Sequence, residues 1–113
     1  PVDRVAVALW RHWPVDDQRA EDLARATVAF QREFDFDFIK VTPSSDFCLE
    51  DWGTDSVWLG DPEGTRKYVH HPVREAADWQ KLAVLDPSQG GLGRQVRCLQ
   101  LIHDEVGDEV FFL

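Results

Sequence analysis

Two short stretches gather the side chains that could do chemistry. Residues 11–14, Arg-His-Trp-Pro, set a guanidinium beside an imidazole. Residues 42–46, Thr-Pro-Ser-Ser-Asp, set hydroxyls and a carboxylate close together. Arg11 is always charged and its planar fork fits a carboxylate, so it is a substrate-binding candidate; otherwise it makes a surface ion pair. His12 carries an imidazole, the side chain suited to acid–base work, and is a candidate acid or base, or else packs beside the neighbouring tryptophans. Asp46 could hold a positive centre or accept from an N–H donor, or cap its own turn. Ser44 and Ser45 could line a pocket, or cap the helical turn that follows.

Other groups are less convergent. His70 and His71 are adjacent, and on a strand adjacent side chains point to opposite faces, so one ion cannot easily take both. Gly90-Gly91-x-Gly93 ahead of a helix could cradle a phosphate, with Arg94 the nearby cation. Lys40, inside a strand, can snorkel to an ion-pair partner. Cys48 and Cys98 lie far apart and are read as reduced thiols. No metal site is expected.

The elements that must position these residues follow from periodicity. Residues 5–10, Val-Ala-Val-Ala-Leu-Trp, form a nearly continuous apolar run, the pattern of a parallel strand covered on both faces. A helix should begin near Asp16 or Asp17 and run to Phe34 or Asp35, with Leu23, Thr27, Phe30 and Phe34 as its apolar stripe. Phe38, Ile39 and Val41 make a second strand that Pro43 stops. The order strand, helix, strand is a βαβ unit with parallel strands. Both polar stretches then lie just past a strand's C-terminal end, where α/β proteins bind substrates. Residues 57–59 and 68–70 read as a β-hairpin around Gly60-Asp61-Pro62-Glu63-Gly64. A short helix is expected over residues 75–82 with Trp79 and Leu82 inward. A longer one should run from Leu92 to about Glu105, closed by Gly107. Residues 110–113 begin a third strand.

The chain has 113 residues, 43% hydrophobic and 29% charged, which is the composition of one globular domain or part of one. A net charge of −9 argues against a nucleic-acid backbone as partner. No apolar run is long enough to span a bilayer, and no leader peptide is visible, so the expectation is a cytoplasmic protein. The sequence begins at Pro1, so at least an initiator methionine is expected to be missing. Unpaired strand edges and apolar faces lead to the expectation of a homo-oligomer.

Several segments together resemble the N-terminal third of the uroporphyrinogen decarboxylase family. They are residues 1–14, 26–41, 82–93 (Leu-Ala-Val-Leu-Asp-Pro-Ser-Gln-Gly-Gly-Leu-Gly) and 94–113. The resemblance implies an α/β fold, the N-terminal fragment of a (β/α)8 TIM barrel with an inserted β-hairpin. Residues 1–113 would then be a single partial domain holding the first three strands. It also implies cofactor-independent decarboxylation of a tetrapyrrole in porphyrin and haem biosynthesis. In that family, arginines after the first strand bind substrate carboxylates and an aspartate after the second faces the pyrrole nitrogens. Arg11 matches one such arginine, but Trp13-Pro14 replace the family's second arginine and its glycine. Thr42-Pro43 stand near the usual aspartate, and Asp46 is the nearest acid. These departures leave room for a paralogue with another substrate. The expected roles are Asp46 and His12 in catalysis, and Arg11, Ser44 and Ser45 in substrate binding. The alternatives are a zinc-dependent corrinoid methyltransferase of the same family, with its zinc ligands beyond these residues, and a non-catalytic, self-associating fragment.

Overall fold

The computed structural model describes residues 3–113, so the first two positions of the segment 1–14 lie outside the described residues. A 3-10 turn (Asp16–Gln18) leads through extended Arg19 into helix α1 (Ala20–Phe34), whose first turn carries Glu21 and Asp22 at the dipole's positive end. Asp35 ends α1 in the left-handed conformation, its N–H on the Gln31 carbonyl. Position alone predicts Asp16 or Asp17 as the N-cap, and neither serves. Asp17 turns inward, and its carboxylate accepts from the Gln18 amide instead.

The buried face of α1 is Ala20, Leu23, Ala24, Thr27, Val28 and Gln31. Phe34, the end of the predicted stripe, is exposed; it stacks on Phe36 at the helix end rather than entering the core. Leu23, Ala24 and Val28 pack with Cys98, Ile102 and Val106 of helix α2 (Gly90–Val106) and with Ile39 and Val41. Helix α2 starts two residues before the expected Leu92 and ends at Val106. Val96 and His103 are exposed, because the seam follows the line through Cys98, Ile102 and Val106.

Strand β1 (Phe38–Ile39) pairs in parallel with the C-terminal strand Phe111–Phe112. The pairing continues through Val41 N to Leu113 O (2.9 Å) and Leu113 N to Ile39 O (3.0 Å). Between them, β2 (Asp55–Trp58) and β3 (Arg66–His70) form an antiparallel hairpin, with a register shift between Asp55 and Ser56. The C-terminal strand is hereafter β4.

Residues 5–10 correct the reading of a first strand. They join no ladder, and Val5, Val7 and Leu9 are exposed. Asp37 takes the place of a strand partner: its N–H reaches Val7 O at 3.0 Å and its carboxylate accepts the Val7 N–H at 2.7 Å. Arg4 closes on the same carboxylate. Further along, the Lys40 ammonium lies 3.8 Å over the Trp10 ring. Both contacts keep an offset of 30 residues, so the run travels alongside β1 in the same direction.

The expected helix at residues 75–82 is a 3-10 turn (Ala76–Lys81), with Leu82 just beyond it and half-buried. Asp78 fixes this turn from its polar side, accepting from the Arg74 and Glu75 amides and pairing with Lys81. Trp79 therefore points outward, 66% exposed, not inward as predicted.

Among the described residues no helix is long and apolar enough to cross a membrane. The molecule measures 52 × 30 × 28 Å with a radius of gyration of 16.4 Å, against about 13 Å for a compact chain of this length. Its surface is 7765 Å², where about 6,300 Å² is typical for its mass. Unpaired apolar surface along residues 5–10 and β4 contributes to the excess.

Ile102 is fully buried where α1, α2 and β1 meet. Ile102→Ala should cost about 3 kcal/mol of stability, and Val96→Ala on the exposed side well under about 1 kcal/mol; urea unfolding midpoints of the two variants check the difference.

Candidate functional site

The segment after β1 descends into the core before it turns. Val41, Thr42 and Ser44 are buried, and Asp46 follows them inward. The Asp46 carbonyl accepts from the Leu49 and Glu50 amides, a 3-10 turn (Glu50–Trp52) follows, and Gly53 ends it. Capping by Ser44 or Ser45, the alternative reading of those serines, does not occur: Ser44 supplies its carbonyl, not its hydroxyl, to the Phe47 amide. Asp46 does not use its carboxylate as a cap either.

That carboxylate goes to the hairpin. Ser56 donates its hydroxyl to Asp46 Oδ2, and Arg66 Nε lies 3.2 Å from the same oxygen. Arg66 Nε also donates to Ser56 Oγ at 2.6 Å. Burial pushes the Asp46 carboxyl up, but the Ser56 and Ser44 hydroxyls and then the Arg66 charge act against it and hold it below its ordinary 3.8. Asp46 is therefore a fixed anion.

A second acid arrives from the first polar loop. Asp17 is buried within the field of Arg66, Asp46 and Arg94, and burial raises its carboxyl above the ordinary 3.8. Glu50 is raised from 4.5 for the same reason, although Arg94 Nη2 stands 2.7 Å from it. Asp51 caps α2 by accepting the Gly91 amide at 2.8 Å. A Cβ on Gly91 would fall 2.0 Å from Glu50 Oε1 and 2.6 Å from the Phe47 carbonyl, so this helix start closes onto the loop only as glycine. The glycine cluster consequently does not cradle a phosphate: Asp51 and Glu50 occupy that place, and Arg94 is paired.

His12 packs against the hairpin turn, where its Cβ would stand 2.7 Å from a Cβ on Gly64; Gly64 itself has φ 74°. His12 Nδ1 is buried without a hydrogen-bond partner. Thus the loops after residue 10 and after β1 meet at the base of β3, His12 on Gly64 and Asp46 on Arg66. Arg11 does not join them; it is exposed, its guanidinium 4.5 Å over the Trp13 ring. Ser45 is exposed too, and its carbonyl accepts from the Tyr68 hydroxyl at 3.1 Å.

Ser56 and Arg66 take part although the sequence does not single them out; it marks Asp17 only as a possible helix cap and Arg94 only as the cation beside the glycine cluster. For Ser56 and Arg66 a signal existed in the hairpin's alternation. Ser56, Trp58, Arg66 and Tyr68 share the half-buried face, while Asp55, Val57, Lys67 and Val69 face outward.

Among the described residues no group of three or more His, Cys, Asp or Glu is arranged to hold a metal. His70 and His71 are exposed, and His71 stacks on Tyr68. Cys48 and Cys98 are free; burial pushes the Cys98 thiol up to about 11, which leaves it inert. A concavity of about 560 Å³ lies away from this site. It is a groove between α1 and α2 floored by Ala24, Val28, Ala29 and Leu101, with the Arg32–Glu105 pair at its rim. Comparison with protein-family models, curated proteins and solved structures returns no match for this chain.

The opposed carboxyl shifts fix the sign of the pH response. Asp17 and Glu50 bind protons more readily when folded, so stability rises as pH falls from neutral through their raised values toward the ordinary 3.8 and 4.5. Asp46 is held low, so its contribution is complete above 3.8 and is lost as pH falls through its folded value. Stability should therefore peak in weak acid. Asp17→Asn should stabilise the chain at neutral pH and flatten the gain on acidification, as read from urea midpoints across that range.

Proposed function

We propose that this chain forms the opening units of an α/β barrel enzyme that removes carboxylates from a tetrapyrrole without a cofactor, as the resemblance to uroporphyrinogen decarboxylases implies. The observation that supports this reading is the meeting of the loop after residue 10 and the loop after β1 at the base of β3, with His12 against Gly64 and Asp46 against Arg66. Polar groups from successive parallel segments converging at one rim is how barrels build active sites. The parallel β1–β4 pairing, and the run of residues 5–10 alongside β1, are consistent with the strand order of such a barrel.

Each residue has a role in this reading. Decarboxylation of this type begins by protonating a pyrrole ring carbon; the C–CO2 bond then breaks with its electron pair passing into the cationic ring, the exocyclic methylene so formed takes a proton to become methyl, and the ring gives up the proton it first gained. His12, half-buried with an unpartnered Nδ1, is the proton donor. Asp46, held ionised by Ser56 and Arg66, is a fixed negative charge that stabilises the cationic intermediate. Ser44, 1% exposed, backs the Asp46 loop from inside. Arg11 and Ser45, both exposed, supply a cation and a hydroxyl for the outer carboxylates. The protein expressed from its full reading frame should release CO2 from uroporphyrinogen III under anaerobic conditions, and His12→Gln should lower kcat by about 100-fold. Absence of CO2 release by the wild-type protein would overturn the assignment.

The excess surface favours a second reading for these 113 residues by themselves: a folded piece that self-associates through the exposed apolar side chains of residues 5–10 and of Phe111 and Leu113. In sedimentation the isolated chain should run as a concentration-dependent oligomer and show no turnover. Replacing Val7 and Phe111 with lysine should shift it to monomer, and a wild-type monomer at all concentrations would refute this.

A further inference from the structure

Residues 5–10 are fastened by polar groups and hardly by packing. Val5, Val7, Leu9 and Trp10 are between 51% and 84% exposed, so the run buries little apolar surface. A cleft of about 10 Å³, lined by Leu9 and Trp10 of the run and by Phe36 and Phe38, leaves it incompletely seated. The fastening comes from Asp37. Its carboxylate accepts from both terminal nitrogens of Arg4 and from the Val7 N–H, and its own N–H reaches the Val7 carbonyl. Among the described residues no other hydrogen bond or ion pair ties residues 3–10 to the rest of the chain, and the Lys40–Trp10 contact is a weaker, half-exposed addition. Beyond the run the chain is anchored again, by Trp13 edge-on to Phe30 at 5.7 Å and by His12 against Gly64.

The run lies along a strand edge that it does not bond. Ile39 and Val41 turn their backbone groups to β4, so those of Phe38 and Lys40 face the other way, on the side the run occupies. Among the described residues the amides and carbonyls of Phe38 and Lys40 meet no backbone partner. An open strand edge is a template for another chain, and a loop laid over it is one way to shield it. We propose that residues 4–10 are a strap that Asp37 latches over the free edge of β1, hinged at Arg11, so that losing this one carboxylate opens the edge while the core stays folded. Charge-assisted hydrogen bonds to a single acceptor make the closure all-or-none: Arg4 and Val7 let go together. The strap is independent of the decarboxylase reading, since it uses none of the residues assigned to the reaction.

The test is hydrogen exchange at the Val7 amide, followed in ¹H–¹⁵N spectra at constant pH, with the Ile102 amide as the core reference. In the wild-type chain Val7 should be protected, yet about a hundredfold less than Ile102, because the strap opens without the core. Asp37→Ala should speed Val7 exchange about tenfold or more and Arg4→Gln about threefold, while Trp10→Ala changes it less than either. Chymotrypsin should cut the Asp37→Ala chain after Leu9 or Trp10 before it cuts within α1 or α2. Should Asp37→Ala lose its dispersed spectrum, Arg4→Gln decides. An unprotected Val7 in the wild-type chain, or a rate that neither substitution changes, would overturn the proposal. So would equal protection of Val7 and Ile102, which means that the run opens only when the chain unfolds. Protection of Val7 that rises with protein concentration would overturn it too, since a neighbouring copy and not Asp37 would then hold the run.

Discussion

A buried carboxylate governs how this chain closes. β1 carries the backbone straight into the core, and three residues past Pro43 that path buries an aspartate. A buried anion needs a charged or hydrogen-bonding partner, and the hairpin meets the need with Ser56 and Arg66. The pairing does more than neutralise Asp46. It fixes where β3 begins, and so where Gly64 comes to rest against His12. The next acids along the same loop act likewise, Glu50 on Arg94 and Asp51 on the first amides of α2. One polar loop thus orients a hairpin and a helix that share little apolar contact with each other.

The apolar core does a different job. It joins α1 and α2 to β1 through small or branched side chains, Ala24, Val28, Ile39, Cys98 and Ile102 among them. Alanines and a cysteine let the two helices approach closely, while Leu23 and Ile102 fill the seam. The core fixes the direction of α2, and hence brings β4 back parallel to β1. The Asp46 network lies beyond it and depends on it: hydrogen bonds of this kind gain strength only where water is excluded.

Residues 5–10 show how a strand-like sequence can lack a ladder. Their alternating valines and alanines suit a sheet, yet Asp37 satisfies the Val7 amide with a side-chain oxygen and the Val7 carbonyl with its own N–H. Trp10 then rests under Lys40. The run is held in line with β1 by these contacts, and its apolar side chains stay open to solvent.

The sequence by itself determined the local elements. Period-3.6 patterns located α1 and α2, the glycine-rich turn located the hairpin, and Gly107 marked the end of α2, because these signals act within a few residues. It also showed that residues 42–46 leave a strand as a polar cluster. Only the tertiary structure decided which polar groups meet. Arg66 and Asp17 lie 20 and 29 positions from Asp46 in the chain, and no periodicity couples residues at such distances. It likewise decided that Trp79 faces out, that Asp17 is buried and not a cap, and that Arg11 stacks on Trp13. For Asp17 the cause is distant, since it is buried near Asp46, Arg66 and Arg94; for Trp79 and Arg11 it is a short-range side-chain contact, Asp78 on the Arg74 and Glu75 amides and Arg11 over Trp13, that periodicity does not encode.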